Sequence, residues 1–151
     1  MDRDERARLE RINPHLAAPV AKARARGELV EASAHRDGPR VTVTAKGLRL
    51  DATPNARAHW TATAKKRARE RQVITAALAR VTKPAGPWRV TITRIGPRPM
   101  DDDNRTAAAK GTRDAIAAWL GVDDGDDRAR WEVRGEVARG YAVRVQIEGG
   151  S

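Results

Sequence analysis

Residues 88–95, WRVTITRI, constrain the fold more than any other segment of this chain, because apolar and polar side chains alternate along them. This period of two predicts a β-strand with one buried face and one polar face. The breaker KPAGP precedes the strand, and a run of helix-forming residues, TAAAKGTRDAIAAWL, follows it closely. The helix is predicted to end at Gly121, because glycine readily adopts the left-handed conformation of a C-cap. A strand that leads into a helix is therefore the centre of the predicted fold.

Three further patterns complete the prediction. VTVTA at 41–45 and LRLDA at 48–52 alternate in the same way on either side of Gly47, which predicts a short hairpin or one kinked strand. From Thr61 to Val81, apolar residues recur at helical spacing. ARWEVRGEV and YAVRVQIE, near the C-terminus, predict two antiparallel strands. We therefore predict an α+β fold, in which a small mixed β-sheet packs with two main helices in a β-α-β-α-β-β core.

A chain of 151 residues fits one compact domain, which we place at residues 47–148. Residues 1–46 are predicted to form a partly helical N-terminal extension, with helices before Pro14 and over 17–30 and a polar turn in AHRDGPR at 34–40. The N-terminus mixes acids with arginines and has no long apolar run, unlike a signal peptide or a membrane span. The chain also lacks cysteine, and these features together predict a soluble cytoplasmic protein without membrane partners.

The charge is unevenly distributed along the chain. The formal net charge is +10, which favours a polyanionic partner such as nucleic acid. Residues 47–100 contain twelve Lys or Arg against two acids, whereas residues 101–151 contain eight against eleven. A basic protein therefore has an acidic segment, which begins where the predicted strand meets the predicted helix.

This acidic segment has two parts, DDDN at 101–104 and the pair Asp123 and Asp124. Crowded carboxylates repel one another unless a cation joins them, and a hard divalent metal prefers oxygen ligands. Asp101 and Asp103 are two residues apart, so both side chains can reach one ion. The second pair can return to the first if the neighbouring strand runs back beside it. These residues therefore predict a metal site.

The simpler interpretation is that DDDN is an acidic helix start and DDGDD a solvated turn. Caps explain one or two acids, with Asp103 or Asn104 as the expected cap, but they do not readily explain five acids at the two ends of one helix. An EF-hand calcium loop fails on spacing, because Leu120 and Val122 would stand where carboxylates are required. We therefore favour the metal site. Lys110 and Arg113, further along the same helix, could each hold a phosphate oxygen.

Residues 101–126, DDDNRTAAAKGTRDAIAAWLGVDDGD, resemble the signature of the RusA family of crossover junction endodeoxyribonucleases. In that signature an Asp-x-Asp-Asn motif opens a helix that ends before an Asp-Asp pair. The order of elements from about 47 to 148 is also similar. The resemblance covers about two-thirds of the chain, and its specificity rests mainly on residues 101–126.

The resemblance implies a homodimer, bacterial or phage-encoded, that binds four-way DNA junctions and cuts them with Mg²⁺, for which Mn²⁺ is a possible substitute. Asp101 and Asp103 match the aspartates of the first motif, Asn104 its asparagine, and Asp124 the catalytic second aspartate of the pair. The family's lysine can stand one turn earlier, where this chain has Ala107, so its role is assigned to Lys110. The segment TPNARAHW at 53–60 and the basic helix after it look like the family's DNA-contacting loop and helix.

We therefore predict a Mg²⁺-dependent endonuclease that resolves Holliday junctions by symmetric phosphodiester hydrolysis in DNA recombination and repair. The predicted metal ligands are Asp101, Asp103, Asp123 and Asp124, and the predicted catalytic residues are Asp101, Asp103, Asp124 and Lys110. The residues predicted to contact DNA are Asn55, Arg57, Lys65, Lys66, Arg67, Arg69, Arg98, Asn104 and Arg113.

Two alternatives follow from the same residues. One is a basic nucleic-acid-binding module without catalytic activity, whose acids only cap a helix. The other is a Mg²⁺-dependent nuclease for other branched DNA, such as flaps or replication forks, that uses the same carboxylates. Metal-dependent cleavage separates the first alternative from the nucleases, and a comparison of DNA shapes separates the second from a junction resolvase.

Overall fold

The structure is a computed structural model that describes residues 30–50, 60–123 and 125–150. The helices predicted within residues 1–29 lie outside the described residues. Five strands and three helices follow one another along the described part of the chain. They are β1 (Glu31–Asp37), β2 (Arg40–Lys46), α1 (Trp60–Leu78), β3 (Trp88–Gly96), α2 (Asp102–Ala108), α3 (Lys110–Leu120), β4 (Ala129–Val137) and β5 (Ala142–Gly149).

The five strands form one mixed sheet in the order β1-β2-β5-β3-β4. Strand β3 pairs with β4 in parallel and with β5 antiparallel, while β2 pairs antiparallel with β1 and β5. A parallel pair needs a crossover connection, and helices α2 and α3 provide it between β3 and β4. The mixed sheet with its helices confirms the predicted α+β class.

One face of the sheet forms the core. The alternation predicted for residues 88–95 is confirmed, because Val90 and Ile92 are fully buried while Arg89 is exposed. The register aligns Ile92 with Val145 and Val145 with Val43, so β-branched side chains of three strands meet on one face. The helices contribute Ile74, Leu78, Ile116 and Leu120 to the same core. The opposite face is polar, with threonine, arginine and glutamate side chains at most positions.

The predicted hairpin near Gly47 is wrong. The hairpin joins β1 to β2 through a turn at Gly38, whose φ of 58° suits glycine. The turn predicted within residues 34–40 is present but shorter, because residues up to Asp37 pair with β2 and only Gly38 and Pro39 form the turn. After Gly47 the chain leaves the sheet, and Leu48 and Leu50 pack into the core from a segment without regular structure. Strand β1 has no β-branched or aromatic residue, so its pairing with β2 defines it rather than its own sequence pattern.

The predicted domain boundary between residues 46 and 47 is also corrected. Strands β1 and β2 belong to the same five-stranded sheet as the rest of the fold, and the compact unit that contains them begins at Glu31. Within the described residues, no helix is both long and apolar enough to cross a lipid bilayer.

The two predicted helices and the last two strands are confirmed with three differences. Helix α1 ends at Leu78 rather than Val81, and the second helix is divided into α2 and α3 at Ala109. Gly121 does cap α3, with a left-handed φ of 74°. Strands β4 and β5 run in opposite directions as predicted, but they are not neighbours, because β3 lies between them.

Candidate functional site

Asp101 directly precedes helix α2 and follows the end of β3 by five residues. Its backbone is extended, and its side chain accepts a hydrogen bond from the Asn104 backbone N–H at 2.9 Å, the geometry of an N-cap. The Asn104 Nδ2 donates to the other carboxylate oxygen at 3.0 Å. The predicted cap at Asp103 or Asn104 is therefore wrong, and Asp101 is the cap. The two hydrogen bonds from Asn104 therefore orient the Asp101 carboxylate.

The next two aspartates differ in their surroundings. Asp102 forms an ion pair with Arg105, whose guanidinium also donates to the Met100 carbonyl at 3.0 Å. Asp103 is exposed, and within the described residues it makes neither a hydrogen bond nor an ion pair. Asp101 and Asp103 therefore both present carboxylate oxygens to solvent at the N-terminus of one helix. The prediction that the first acidic cluster lies at a strand-to-helix junction is confirmed.

Asp123, the described residue of the second acidic pair, lies at the other end of the sheet. The backbone N–H of Trp88, at the start of β3, donates to the Arg128 carbonyl at 2.7 Å, and Lys83 Nζ lies 3.3 Å from the Leu120 carbonyl. Asp123 thus stands near the beginning of β3, whereas Asp101 follows its end, and a nine-residue strand spans roughly 30 Å. The expected return needed a strand running back, and β4 instead runs parallel to β3. Asp123 and Asp101 are therefore far apart within one chain. Asp124 lies outside the described residues.

Asp126, in the same loop, has a structural partner. Its carboxylate accepts hydrogen bonds from the Arg128 backbone N–H at 2.9 Å and from the Arg128 guanidinium at 2.7 Å. These bonds, the side-chain bond first, lower the pKa of the Asp126 carboxyl from 3.8 to about 2. The pKa of the Arg128 guanidinium is raised by the same contacts. This part of the acidic loop is a turn closed by arginine, as the simpler interpretation of DDGDD expects.

The Asp126 pair gives a pH-dependent prediction. Because the pKa is lower in the folded state, the pair stabilises the fold above the ordinary pKa of 3.8 and the contribution is lost as the pH falls toward 2. We expect the side-chain carboxyl ¹³C resonance of Asp126 to titrate with a midpoint near 2. In an Arg128→Gln variant the midpoint should move up toward 3.8. A wild-type midpoint at the ordinary value would show that the pair does not form in solution.

Helices α1 and α3 cross at Gly111. A Cβ atom at this position would lie 2.9 Å from the Arg67 carbonyl oxygen and 2.9 Å from Glu70 Oε2, so only glycine permits this approach. Arg71 of α1 also pairs with Asp114 of α3 at 3.6 Å. The crossing therefore places the basic first half of α1 beside Lys110, which is exposed at the start of α3. Asp103 lies seven residues before Lys110, about two helical turns along the same run.

The residues predicted to contact DNA differ in exposure and in the contacts they make. Asn55 and Arg57 lie outside the described residues. Lys65 is exposed, and Lys66, Arg67 and Arg69 are half-buried on the basic part of α1. Arg98 is exposed after β3, on the path to Asp101. Arg113 instead stacks on the Trp131 ring of β4, with its guanidinium carbon 4.7 Å from the ring centroid, so its first contact is within the fold.

An arginine and tyrosine cluster at this end of the sheet was not predicted. Arg94 is only 5% exposed, and its guanidinium donates to the carbonyls of Leu50 and Arg98. The Tyr141 ring is close to two arginines: the guanidinium carbon of Arg49 is 4.5 Å from the ring centroid, and that of Arg94 is 6.0 Å from it. The signal was present in the alternation, since Arg94 continues the buried face of Val90 and Ile92. The cluster anchors the segment that leads to Arg98 and Asp101.

The described side chains at the junction between β3 and α2 can supply only some of the oxygen ligands of a Mg²⁺ ion. Among the described residues, no group of three or more His, Cys, Asp or Glu side chains is assembled for a metal. Mg²⁺, however, is commonly held by one or two carboxylates while water and substrate phosphate supply the remaining oxygens. Asp101 and Asp103 meet that requirement, because both are exposed carboxylates at one helix terminus. The residues present therefore fit Mg²⁺ bound together with phosphate.

No protein-family model matches the chain, and no curated protein matches it either.

Proposed function

We propose that this protein is a Mg²⁺-dependent endonuclease that cuts branched DNA, with the four-way junction as its substrate. The observation that carries the proposal is the pair of exposed carboxylates, Asp101 and Asp103, at a strand-to-helix junction of a chain with net charge +10. An acidic centre in a basic protein suits a metal ion that approaches a phosphodiester. The choice of substrate rests on the resemblance of residues 101–126 to the junction endonucleases.

The chain's residues have distinct roles in this proposal. Mg²⁺, when bound, would activate water and offset charge on the attacked phosphate and the leaving oxygen. Asp101 and Asp103 hold the ion, and the two hydrogen bonds from Asn104 orient the Asp101 carboxylate before binding. Lys110 compensates phosphate charge as it develops. Asp124, by the resemblance, supplies a further carboxylate.

The DNA backbone is positioned by the basic part of α1 and by Arg98. The crossing at Gly111 holds α1 against α3, so the cations of α1 have a defined position relative to the helix run that begins at Asp101. Such contacts add affinity without reading the base sequence, and the shape of the junction provides the selectivity. Paired cuts on opposed strands require two active sites related by two-fold symmetry, which a homodimer supplies.

One observation favours the non-catalytic alternative. Both carboxylate oxygens of Asp101 already accept hydrogen bonds from Asn104, which is sufficient reason for an aspartate at this position. On that interpretation the protein binds nucleic acid through α1 and has no cleavage activity. The nuclease for flaps or forks uses the same carboxylates on another DNA shape.

The test is Mg²⁺-dependent cleavage by the purified full chain of four labelled DNAs: a four-way junction, a flap, a replication fork and a linear duplex. Symmetric cuts confined to the four-way junction support the resolvase. Cleavage of flaps or forks but not of four-way junctions would support the alternative that the protein is a nuclease for other branched DNA. Tight binding of all four DNA shapes without cleavage in Mg²⁺ or Mn²⁺ would support the non-catalytic nucleic-acid-binding module.

A further inference from the structure

Residues 97–101, PRPMD, connect β3 to α2 and end on Asp101. Pro97 and Pro99 have no backbone N–H, so neither can donate a backbone hydrogen bond. Among the described residues, no backbone group of residues 97–100 forms a hydrogen bond with another backbone group. A segment with so few backbone bonds stays ordered only where side chains hold it. The side chains that hold this one belong to two arginines.

Arg94 of β3 holds the first half of the segment. It is only 5% exposed, and its guanidinium donates to the Arg98 carbonyl. Its Nε–H also points to the Leu50 carbonyl at 3.4 Å, outside the segment. Removing a guanidinium from water is costly unless its N–H groups find acceptors, so a buried arginine keeps its carbonyl partners. The Arg98 carbonyl is therefore tied to the end of the sheet.

Arg105 of α2 holds the second half. Its guanidinium donates to the Met100 carbonyl at 3.0 Å, and its side chain is 22% exposed. It also pairs with Asp102, but that side chain is 89% exposed, and an ion pair so open to solvent contributes little. The Met100 carbonyl is therefore the contact that ties the segment to the helix.

Two glycines make room for these arginines. A Cβ atom on Gly96 would lie 2.9 Å from the Arg94 guanidinium carbon, and one on Gly135 would lie 3.0 Å from Arg105 Cδ. Neither glycine has a positive φ, so the space rather than the backbone conformation favours glycine here. Arg94 and Gly135 are partners in the register of β3 and β4. Both arginines therefore occupy space at the same end of the sheet.

The two contacts bear on the carboxylate that follows them. Asp101 comes directly after Met100, and Asn104 orients its side chain. A functional carboxylate has to stay within about 0.5 Å of its productive position, which requires an ordered backbone beneath it. The prolines and the two arginines supply that order where regular secondary structure does not.

We propose that Arg94 and Arg105 are positioning residues that hold residues 97–101 by the carbonyls of Arg98 and Met100, and we call these two contacts the carbonyl clamp. The clamp fixes the backbone that presents Asp101. Neither arginine touches the metal ion or the DNA in this role. The effect of the clamp on cleavage rests on the proposed function, whereas its effect on the order of the segment rests only on the contacts above.

Two glycine variants test the clamp without removing either arginine. The added methyl of Gly96→Ala is expected to displace the Arg94 guanidinium, and that of Gly135→Ala is expected to displace Arg105. Neither substitution changes a charge or alters a carboxylate. Gly140→Ala is the matched control, because a Cβ added there has no heavy atom within 4 Å.

Amide ¹⁵N relaxation of the full chain measures the order of the segment. The Arg98 N–H reports on the residue whose carbonyl Arg94 holds. The Asp101 N–H shares a peptide plane with the Met100 carbonyl, so it reports on the second contact. We expect order parameters of about 0.85 for both amides in the wild type, as for the Ile92 amide inside β3.

The variants should loosen the two halves separately. In Gly96→Ala the order parameter of the Arg98 amide is expected to fall below about 0.6, and in Gly135→Ala that of the Asp101 amide is expected to do so. Gly140→Ala should keep wild-type values at both amides. Unchanged order parameters within β3 would show that each variant retains the fold.

Single-turnover cleavage of a four-way junction in Mg²⁺ measures the consequence for activity. Gly96→Ala and Gly135→Ala are each expected to slow cleavage about tenfold to a hundredfold, because misplacing a reacting group by about 1 Å has effects of that size. The affinity for the junction, measured in Ca²⁺, should equal that of the wild type, since no cation is lost. Gly140→Ala should match the wild type in both measurements.

A double variant shows whether Gly96→Ala acts through Arg94. Arg94→Met removes the guanidinium, so the added methyl then has nothing to displace. We expect Gly96→Ala/Arg94→Met to cleave at the rate of Arg94→Met alone, whereas independent effects would multiply. Gly135→Ala/Arg105→Met should behave in the same way relative to Arg105→Met. If Arg94→Met does not fold, this second comparison decides, because Arg105 is partly exposed.

Three results would overturn the clamp. They are wild-type order of the Arg98 and Asp101 amides in the glycine variants, wild-type cleavage by a chain whose segment has loosened, and losses that multiply in the double variants. The relaxation measurement does not depend on activity. A chain that cuts no DNA, but whose segment loosens in the two glycine variants, would keep the ordering role and remove the proposed function.

Discussion

Asp103→Asn is expected to reduce Mg²⁺-dependent cleavage of a four-way junction by about a hundredfold to a thousandfold or more, while DNA binding is retained. The amide keeps the size of the side chain but removes the charge that would hold the ion. Asp103 is exposed and has no hydrogen bond or ion pair with described residues, so its loss should leave the fold intact. Single-turnover cleavage rates, with binding measured separately in Ca²⁺, would separate the two effects.

Asp102→Asn is the matched control for this change. Asp102 is adjacent, its side chain is 89% exposed, and it makes an ion pair with Arg105 rather than facing the proposed metal site. The same loss of one negative charge at this position should change cleavage only slightly. Equal losses of activity in both variants would mean that the total charge of the helix start matters, and would remove Asp103 as a metal ligand.

Neutralising Lys65, Lys66 and Arg69 together is expected to weaken DNA binding on the order of a hundredfold at 0.1 M salt. These cations lie on the first half of α1, which the crossing at Gly111 holds against α3. Each phosphate contact contributes about 0.9 to the slope of log K against log salt concentration, so the slope should fall by about 2 to 3. Fluorescence anisotropy of a labelled junction at several salt concentrations measures both quantities.

The control for this set removes the same charge from another surface. Lys46, Arg80 and Arg89 are exposed outside the first half of α1, and their replacement by glutamine lowers the net charge equally. We expect a much smaller change in the slope, because these residues would not contact phosphate. Similar slopes for the two triple variants would indicate that DNA is attracted by the overall charge and that α1 is not the contact surface.

Local patterns in the sequence predicted the central elements well. The alternation at 88–95 became β3, and the face with Val143, Val145 and Ile147 became the buried face of β5. Gly121 ends α3 because a C-cap needs the left-handed conformation that glycine adopts freely. Each of these features depends on residues that are close together in the sequence, so the local order of apolar, polar and glycine residues is sufficient to predict it.

Features that depend on distant residues were missed or misplaced. Strand β1 forms because β2 offers it a pairing edge, and its own residues, EASAHRD, lack the β-branched and aromatic side chains typical of strands. Arg94 is buried because the Leu50 and Arg98 carbonyls and the Tyr141 ring surround it, which a single strand cannot show. Asp101 rather than Asp103 caps α2, since the cap is set by where the extended backbone turns into the helix.

The sequence by itself determined the strand-to-helix junction, the acidic residues that stand there and the basic charge of α1, because each is a property of a few neighbouring residues. Only the tertiary structure decided where Asp123 of the second acidic group lies. Strand β4 pairs with β3 in parallel, so the crossover through α2 and α3 carries Asp123 to the opposite end of the sheet. Strand direction is chosen by packing between distant segments, and no local pattern specifies it.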